Sequence, residues 1–166
     1  MIFKYLTKNF YINFTIIFLI FFADRISKIY VVNLASKNYT SELFSSKFLN
    51  INLIWNEGIA FGLLSFDQSD LYNILTSIIA LIIVIVFFMI VKNNNIKRYP
   101  LLMIFGGAIG NLYDRIFFKA VPDFIDFHVG EFHWFIFNAA DIFISIGVIF
   151  MILLELIGSN KDNEKI

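Results

Sequence analysis

No cysteine occurs anywhere in this chain, which excludes disulfides, thiolate metal sites and cysteine nucleophiles together. Histidine is almost as scarce. His128 and His133 are the only two, too few to hold a metal without carboxylate help, and both are expected at an interface rather than in a metal centre, so no cofactor is expected. Charge is also thin: 16% of the 166 positions, where an average soluble domain has about a quarter. The 13 basic and 13 acidic residues cancel, giving no reason to expect a nucleic-acid partner. Apolar side chains take up the difference, at 59% of the sequence with 22 phenylalanines. Such a composition is expected of a polytopic membrane protein folded as one domain over residues 1–166.

A hydrocarbon core about 30 Å thick takes about 20 helical residues to cross, and four segments are long enough. The cleanest runs from Leu71 to Val91 without a charge. The first extends from about Phe10 to Val32 and is broken late by Asp24, Arg25 and Lys28. The third spans about Tyr99 to Phe118, starting beside Pro100, a residue tolerated in a first helical turn. The fourth runs from about Trp134 to Ile157, with Asp141 its only charge before Glu155. The expected architecture is an all-α bundle of four transmembrane helices. No internal repeat is visible, and the last eight residues or so look disordered.

Lysine and arginine orient the bundle. Lys4, Lys8, Lys92, Lys97, Arg98, Lys161 and Lys165 fall on one side, whereas the opposite loops hold only Lys37, Lys47 and Lys119. The positive-inside rule puts both termini and the 92–98 loop in the cytoplasm. Lys4 and Lys8 ahead of an apolar run are also the opening of a cleavable signal peptide. No small-x-small cleavage site follows, Phe21-Phe22-Ala23-Asp24 being a poor one, so a permanent first helix is expected.

This orientation gathers the polar residues toward the outer leaflet. The first helix meets Asp24 and Lys28, and the third meets Asn111, Asp114 and Arg115, near their outer ends; the fourth meets Asn138 and Asp141 early. Asp141 follows Trp134, a natural interfacial anchor, by seven residues; at about 1.5 Å per residue it is expected about 10 Å below that belt. Between the first two helices, Leu49, Ile51, Leu53 and Trp55 alternate with Asn50, Asn52 and Ile54, a period of two that argues for a β-strand. Asn56-Glu57-Gly58 then reads as a turn, and Ile59 to Leu64 as a return strand, giving a small extracytoplasmic sheet over about 48–64 that would cover a site below it.

Several of these residues have structural readings. Asp24 and Lys28, at i and i+4, are read first as an ion pair. Gly106, Gly107 and Gly110 fit close helix packing. Asn111, Asp114 and Arg115 share one helical face, where an internal Asp–Arg pair locking the bundle and a substrate contact are equally good accounts. Asp123 and Asp141 resist such readings. Neither has a basic partner in its own turn, and Asn138 lies beside Asp141, able to hydrogen-bond a carboxylate. An ionisable group costs about 2.5 kcal/mol or more at the centre of a membrane helix, so a chain that keeps several usually needs them for chemistry or transport. If the two carboxylates converge, one keeps a proton while the other stays charged. One can then deprotonate a water while the other protonates or polarises a scissile carbonyl, as in an aspartic protease. Pro122 would help hold Asp123 in a non-helical presentation.

The ordered set Asp24-x-x-Ser27-Lys28, Asn56-x-Gly58-x-Ala60-Phe61-Gly62, Gly106-Gly107-Ala108-x-Gly110-Asn111-x-x-Asp114-Arg115, Val121-x-Asp123-Phe124 and Phe137-Asn138-x-Ala140-Asp141 resembles bacterial lipoprotein signal peptidase, signal peptidase II. The five blocks occur in order over most of the chain. The resemblance implies an intramembrane aspartic endopeptidase of the bacterial plasma (inner) membrane that cuts prolipoproteins before a diacylglyceryl-modified cysteine. It implies Asp123 and Asp141 as the catalytic dyad, with Asn56, Asn111, Arg115 and Asn138, and the motif residues Asp24, Lys28, Gly58, Gly107 and Asp114, supporting the site or contacting substrate. It also implies binding of globomycin-type inhibitors between the aspartates. The residues alone leave Asp114 and Asp123 both open as the first catalytic carboxylate; the resemblance selects Asp123.

Two departures stand out. Glu131 to Ile136 lacks a proline that many relatives place near that tryptophan, and Glu57 adds a charge in the Asn-x-Gly turn. Two other classes of function remain for comparison. A proton-coupled carrier or channel subunit would relay protons through Asp24, Asp114 and Asp141, and calls for carboxylates near the midplane and a repeated architecture. A non-enzymatic assembly factor would use the glycine-rich helix for docking.

Overall fold

The computed structural model describes residues 8–58, 68–93 and 95–163. Four long helices and four strands alternate in blocks: α1 (Lys8–Asn38), β1 (Glu42–Ser45), β2 (Leu49–Asn56), α2 (Gln68–Lys92), α3 (Arg98–Phe118), β3 (Val121–Val129), β4 (Phe132–His133) and α4 (Ala139–Asn163). By length and composition, Asp70–Lys92, Arg98–Phe118 and Ala139–Ile157 are able to cross a membrane. Helix α1 is the longest, at 31 residues, and carries Asp24, Arg25 and Lys28 on its second half. It runs past the expected end at Val32 because no glycine or proline interrupts Asn33 to Asn38; Tyr39, at φ 52°, turns the chain. Helix α3 ends likewise on the left-handed Lys119, φ 58°.

Helix α3 is the axis of the bundle, packed against α1, α2 and α4. Small residues on α3 allow this. A Cβ on Gly107 would lie 2.5 Å from the Ala140 carbonyl oxygen, and one on Gly110 would lie 2.6 Å from Asp24 Oδ2. Side chains at these positions would hold α4 and α1 away from the polar residues one turn on. The interior divides by chemistry. An apolar core of Val86, Ile90, Leu101 and Leu102 fills the end where α2 meets α3, and charged and amide side chains fill the opposite end. Outside, apolar residues stay uncovered: Phe10, Phe14, Phe18 and Phe22 stack in a ladder along α1, each about half exposed. A helix apolar on its outer surface suits a hydrocarbon solvent.

The sheet corrects the expected fold in composition and origin. It is a four-stranded antiparallel sheet, ordered β1-β2-β3-β4, and half of its strands come from between α3 and α4 rather than between the first two helices. The alternating segment is β2 as expected, but it pairs with β1 and β3. The expected return strand Ile59 to Leu64 lies outside the described residues. Pro122 is accepted in β3 because β4 pairs only with His128 and Val129, leaving the opposite edge beside Pro122 without a neighbouring strand among the described residues.

The fourth helix starts five residues later than its apolar run suggests. Trp134 N–H donates to the Phe127 carbonyl, and Phe137 exchanges backbone hydrogen bonds with Ile125, so Trp134 to Phe137 follow β3 as extended chain. Asp141 therefore stands in the first turn of α4, and a depth counted by helical rise from Trp134 does not apply. At the other end α4 continues to Asn163, so most of the tail read as disordered is helical.

Candidate active site

Asn138 caps the start of α4 and links both aspartates. Its side-chain Oδ1 accepts from the Asp141 N–H at 3.2 Å, and its own N–H donates to Asp141 Oδ2 at 3.1 Å, a reciprocal cap of the kind that ties the start of a helix to its third residue. Its remaining donor, Nδ2, reaches Asp123 Oδ1 at 2.6 Å. Asn138 is completely buried, so its amide has no solvent to turn toward. Asp123 projects from β3, where the second carboxylate oxygen accepts from Asn56 Nδ2 of the adjoining strand at 2.8 Å. Asn56 is held by its own turn, its Oδ1 accepting from the Gly58 N–H at 2.7 Å. Asp141 Oδ1 accepts from Asn111 Nδ2 of α3 at 2.8 Å. Three asparagines, on β2, α3 and the start of α4, thus present N–H groups to two neighbouring carboxylates.

Burial pushes the Asp123 carboxyl above the usual carboxylate range, the Asn56 and Asn138 donors pull against that, and the nearby Asp141 adds to the rise. Beside Asp141 lies a cavity of about 560 Å³ walled by Phe127, Phe132, Trp134, Phe137 and Ile142.

A second cluster lies behind the first. Lys28 Nζ is 2.9 Å from Asp24 Oδ1 and 2.7 Å from Asp114 Oδ2, so the expected Asp24–Lys28 pair exists but is shared with α3. Arg25 Nη2 donates to Asp24 at 2.7 Å and to Asp114 at 2.6 Å, and Arg25 Nη1 also binds Asp114. Asp24 and Asp114 are wholly buried, and two cations match the two carboxylates. Asp24 Oδ1 additionally accepts the Ala140 N–H of α4 at 3.1 Å. Arg25 was overlooked as a site residue. Counting charges does not single it out, because Arg115, next to Asp114 in sequence, already offers a balancing cation; only the packing of α1 on α3 selects Arg25.

Asp114 is accordingly bound by Arg25 and Lys28, where an internal pair with Arg115 was one of two expectations. Arg115 instead sits over the Tyr72 ring at 5.7 Å, its carbonyl accepting the Tyr72 hydroxyl at 2.9 Å. Its buried Nε and Nη1 have no hydrogen-bond partner among the described residues. Gly58, at φ 82°, borders it, and a Cβ there would lie 2.8 Å from Arg115 Nη1. The histidines join the sheet rather than the dyad: His133 Nδ1 is 3.0 Å from Asp126, and the rings of His128 and His133 stack at 4.9 Å.

Known proteins are similar to this chain over nearly its whole length. The sequence model described as signal peptidase (SPase) II matches residues 16–157. A lipoprotein signal peptidase of Pelagibacter ubique (strain HTCC1062) is 54% identical over 159 residues, covering 95% of this chain and 96% of that one. The lipoprotein signal peptidase of Aquifex aeolicus (strain VF5) is 40% identical, covering 90% and 89%. Two solved structures described as bacterial membrane enzymes superpose with TM-scores of 0.68 and 0.69 at 28% and 30% identity, covering 90% and 87% of this chain and 90% and 91% of theirs. The matched span takes in both carboxylate clusters and all three asparagines, and on that basis the chain belongs to the signal peptidase (SPase) II family.

Proposed function

We propose that the protein removes signal peptides from prolipoproteins as an aspartic endopeptidase, with Asp123 and Asp141 as the reacting pair. The observation that carries this reading is Asn138, whose side-chain Nδ2 donates to the Asp123 carboxylate and whose backbone N–H donates to the Asp141 carboxylate, so that one residue holds the two as neighbours. One carboxylate takes a proton from a water as it attacks the scissile carbonyl. The other, protonated, hydrogen-bonds the carbonyl oxygen and later gives its proton to the leaving amine. Helix α1 is the fourth membrane span, both termini are cytoplasmic, and the site lies toward the outer face of the bacterial plasma membrane. The substrate carries a diacylglyceryl-cysteine, and the phenylalanine-rich cavity beside Asp141 has the apolar lining that acyl chains need. Globomycin-type inhibitors compete for the same place.

The test is incubation of purified protein with lipidated and unlipidated forms of one precursor, with and without a globomycin-like inhibitor. Only the lipidated form is expected to be cut, and the inhibitor is expected to stop the cut. Equal cleavage of both precursors would remove the substrate assignment.

A pH profile tests the dyad separately. The Asn56 donor favours the ionised form of Asp123, opposing burial. Removing it in Asn56→Ala moves the upper apparent pKa of the pair upward, so the proton needed for catalysis is retained to higher pH and the alkaline limb of the rate profile shifts up. An unchanged alkaline limb would show that Asp123 does not belong to the titrating pair.

A further inference from the structure

Asn111 stands between the charge cluster and the dyad, and its orientation is settled by one neighbour. Lys28 Nζ donates to Asn111 Oδ1 at 2.8 Å. An ammonium has donors only, so the amide oxygen faces Lys28 and the amide nitrogen faces the other way. In that direction lies Asp141, whose Oδ1 receives Asn111 Nδ2 at 2.8 Å. With the amide reversed, an NH2 would face an ammonium and an oxygen would face a carboxylate, two repulsive contacts in a buried site.

We propose that Lys28 is a positioning residue for hydrolysis: through Asn111 it aims a hydrogen-bond donor at Asp141 and so fixes the direction of that carboxylate. The proposal rests on the reading of Asp123 and Asp141 as the reacting pair. Asp24 does the complementary part, since its bond to the Ala140 N–H holds the helical turn on which Asp141 stands. Arg25 and Asp114 complete the charge balance, which keeps the Lys28 ammonium in place although it is only 2% exposed. Gly107 and Gly110 permit the closeness on which both contacts depend.

Removing Lys28 alone would leave an unmatched carboxylate, so the test uses charge-balanced pairs in the full-length protein. Lys28→Met/Asp114→Asn keeps the Arg25–Asp24 pair, and Arg25→Met/Asp114→Asn keeps the Lys28–Asp24 pair and the Asn111 contact. Each removes one cation and one carboxylate. With kcat taken per folded enzyme and melting temperatures compared, the Lys28 variant is expected to fall about 100-fold further than the Arg25 variant, at similar KM, the scale of a misaligned reacting group. Asn111→Ala is expected to lower kcat strongly in the wild type but little in the Lys28→Met/Asp114→Asn background. Lys28→Gln/Asp114→Asn, which restores an N–H donor toward Asn111, is expected to recover part of the loss even if the methionine variant folds poorly. Equal falls in the Lys28 and Arg25 variants, full additivity with Asn111→Ala, or no recovery with glutamine would overturn the positioning role. Asp123→Asn and Asp141→Asn run in the same assay separate the two readings: if they retain activity the dyad itself fails, and if they are inactive while the paired variants fall alike only the role of Lys28 fails.

Discussion

Asp123→Asn and Asp141→Asn are each expected to lower cleavage of a lipidated precursor by about 1,000-fold or more, with the variant proteins still accumulating in the membrane. General acid and base catalysis are each worth about 100- to 10,000-fold, and an amide in place of either carboxyl can neither take a proton from water nor release one to a leaving amine. The residual rate reflects binding and the asparagine donors alone. Folding tolerates the exchange because the two carboxylates lie apart from the ion pairs that join α1 to α3, and Asn111, Asn56 and Asn138 keep their places on rigid elements. Each variant does set an amide N–H against one asparagine donor, a cost of about 1–3 kcal/mol that a melting curve would register. The measurement is precursor processing by purified variants at matched folded concentration. Either variant cutting at the wild-type rate would remove the aspartic mechanism.

Asp114→Ala is expected to produce the largest loss of stability. Asp114 is wholly buried and accepts hydrogen bonds from both Arg25 and Lys28, so its removal leaves two cations sharing Asp24. Breaking a buried ion pair by deleting one partner costs about 3–5 kcal/mol, chiefly because a charge remains without compensation. Membrane accumulation and detergent melting temperature should both fall. The balanced variant Arg25→Met/Asp114→Asn should recover most of the loss, since removing a cation with the anion eliminates the stranded charge. An Asp114→Ala protein as stable as the balanced variant would mean that the cluster carries little of the fold.

Much of the site was legible because membranes make polarity conspicuous. Asp24, Lys28, Asn111, Asp114, Asn138 and Asp141 interrupt apolar runs, and the positive-inside bias gathers them toward one end. What the apolar pattern hid was the strand that carries Asp123. Val121 to Val129 contains two aspartates and a proline, and its partner β2 lies some 70 residues earlier, so only long-range pairing makes it a strand. The start of α4 was obscured for a related reason. Phe132 to Phe137 is apolar enough to extend a membrane helix, but its backbone groups pair with β3, and the cap at Asn138 sets the helical boundary.

Composition, periodicity and charge asymmetry determined a membrane protein of long helices with its polar groups at one end, because a hydrocarbon solvent penalises each charge by itself and that penalty is written residue by residue. Which charge meets which was decided by tertiary packing alone. Asp114 binds Arg25 and Lys28 rather than Arg115, and Asp123 meets Asp141 through Asn138, because glycines on α3 bring three helices within hydrogen-bond reach and β3 returns to pair beside β2. Pairing depends on distances between segments remote in sequence, and those distances exist only once the chain has closed on itself.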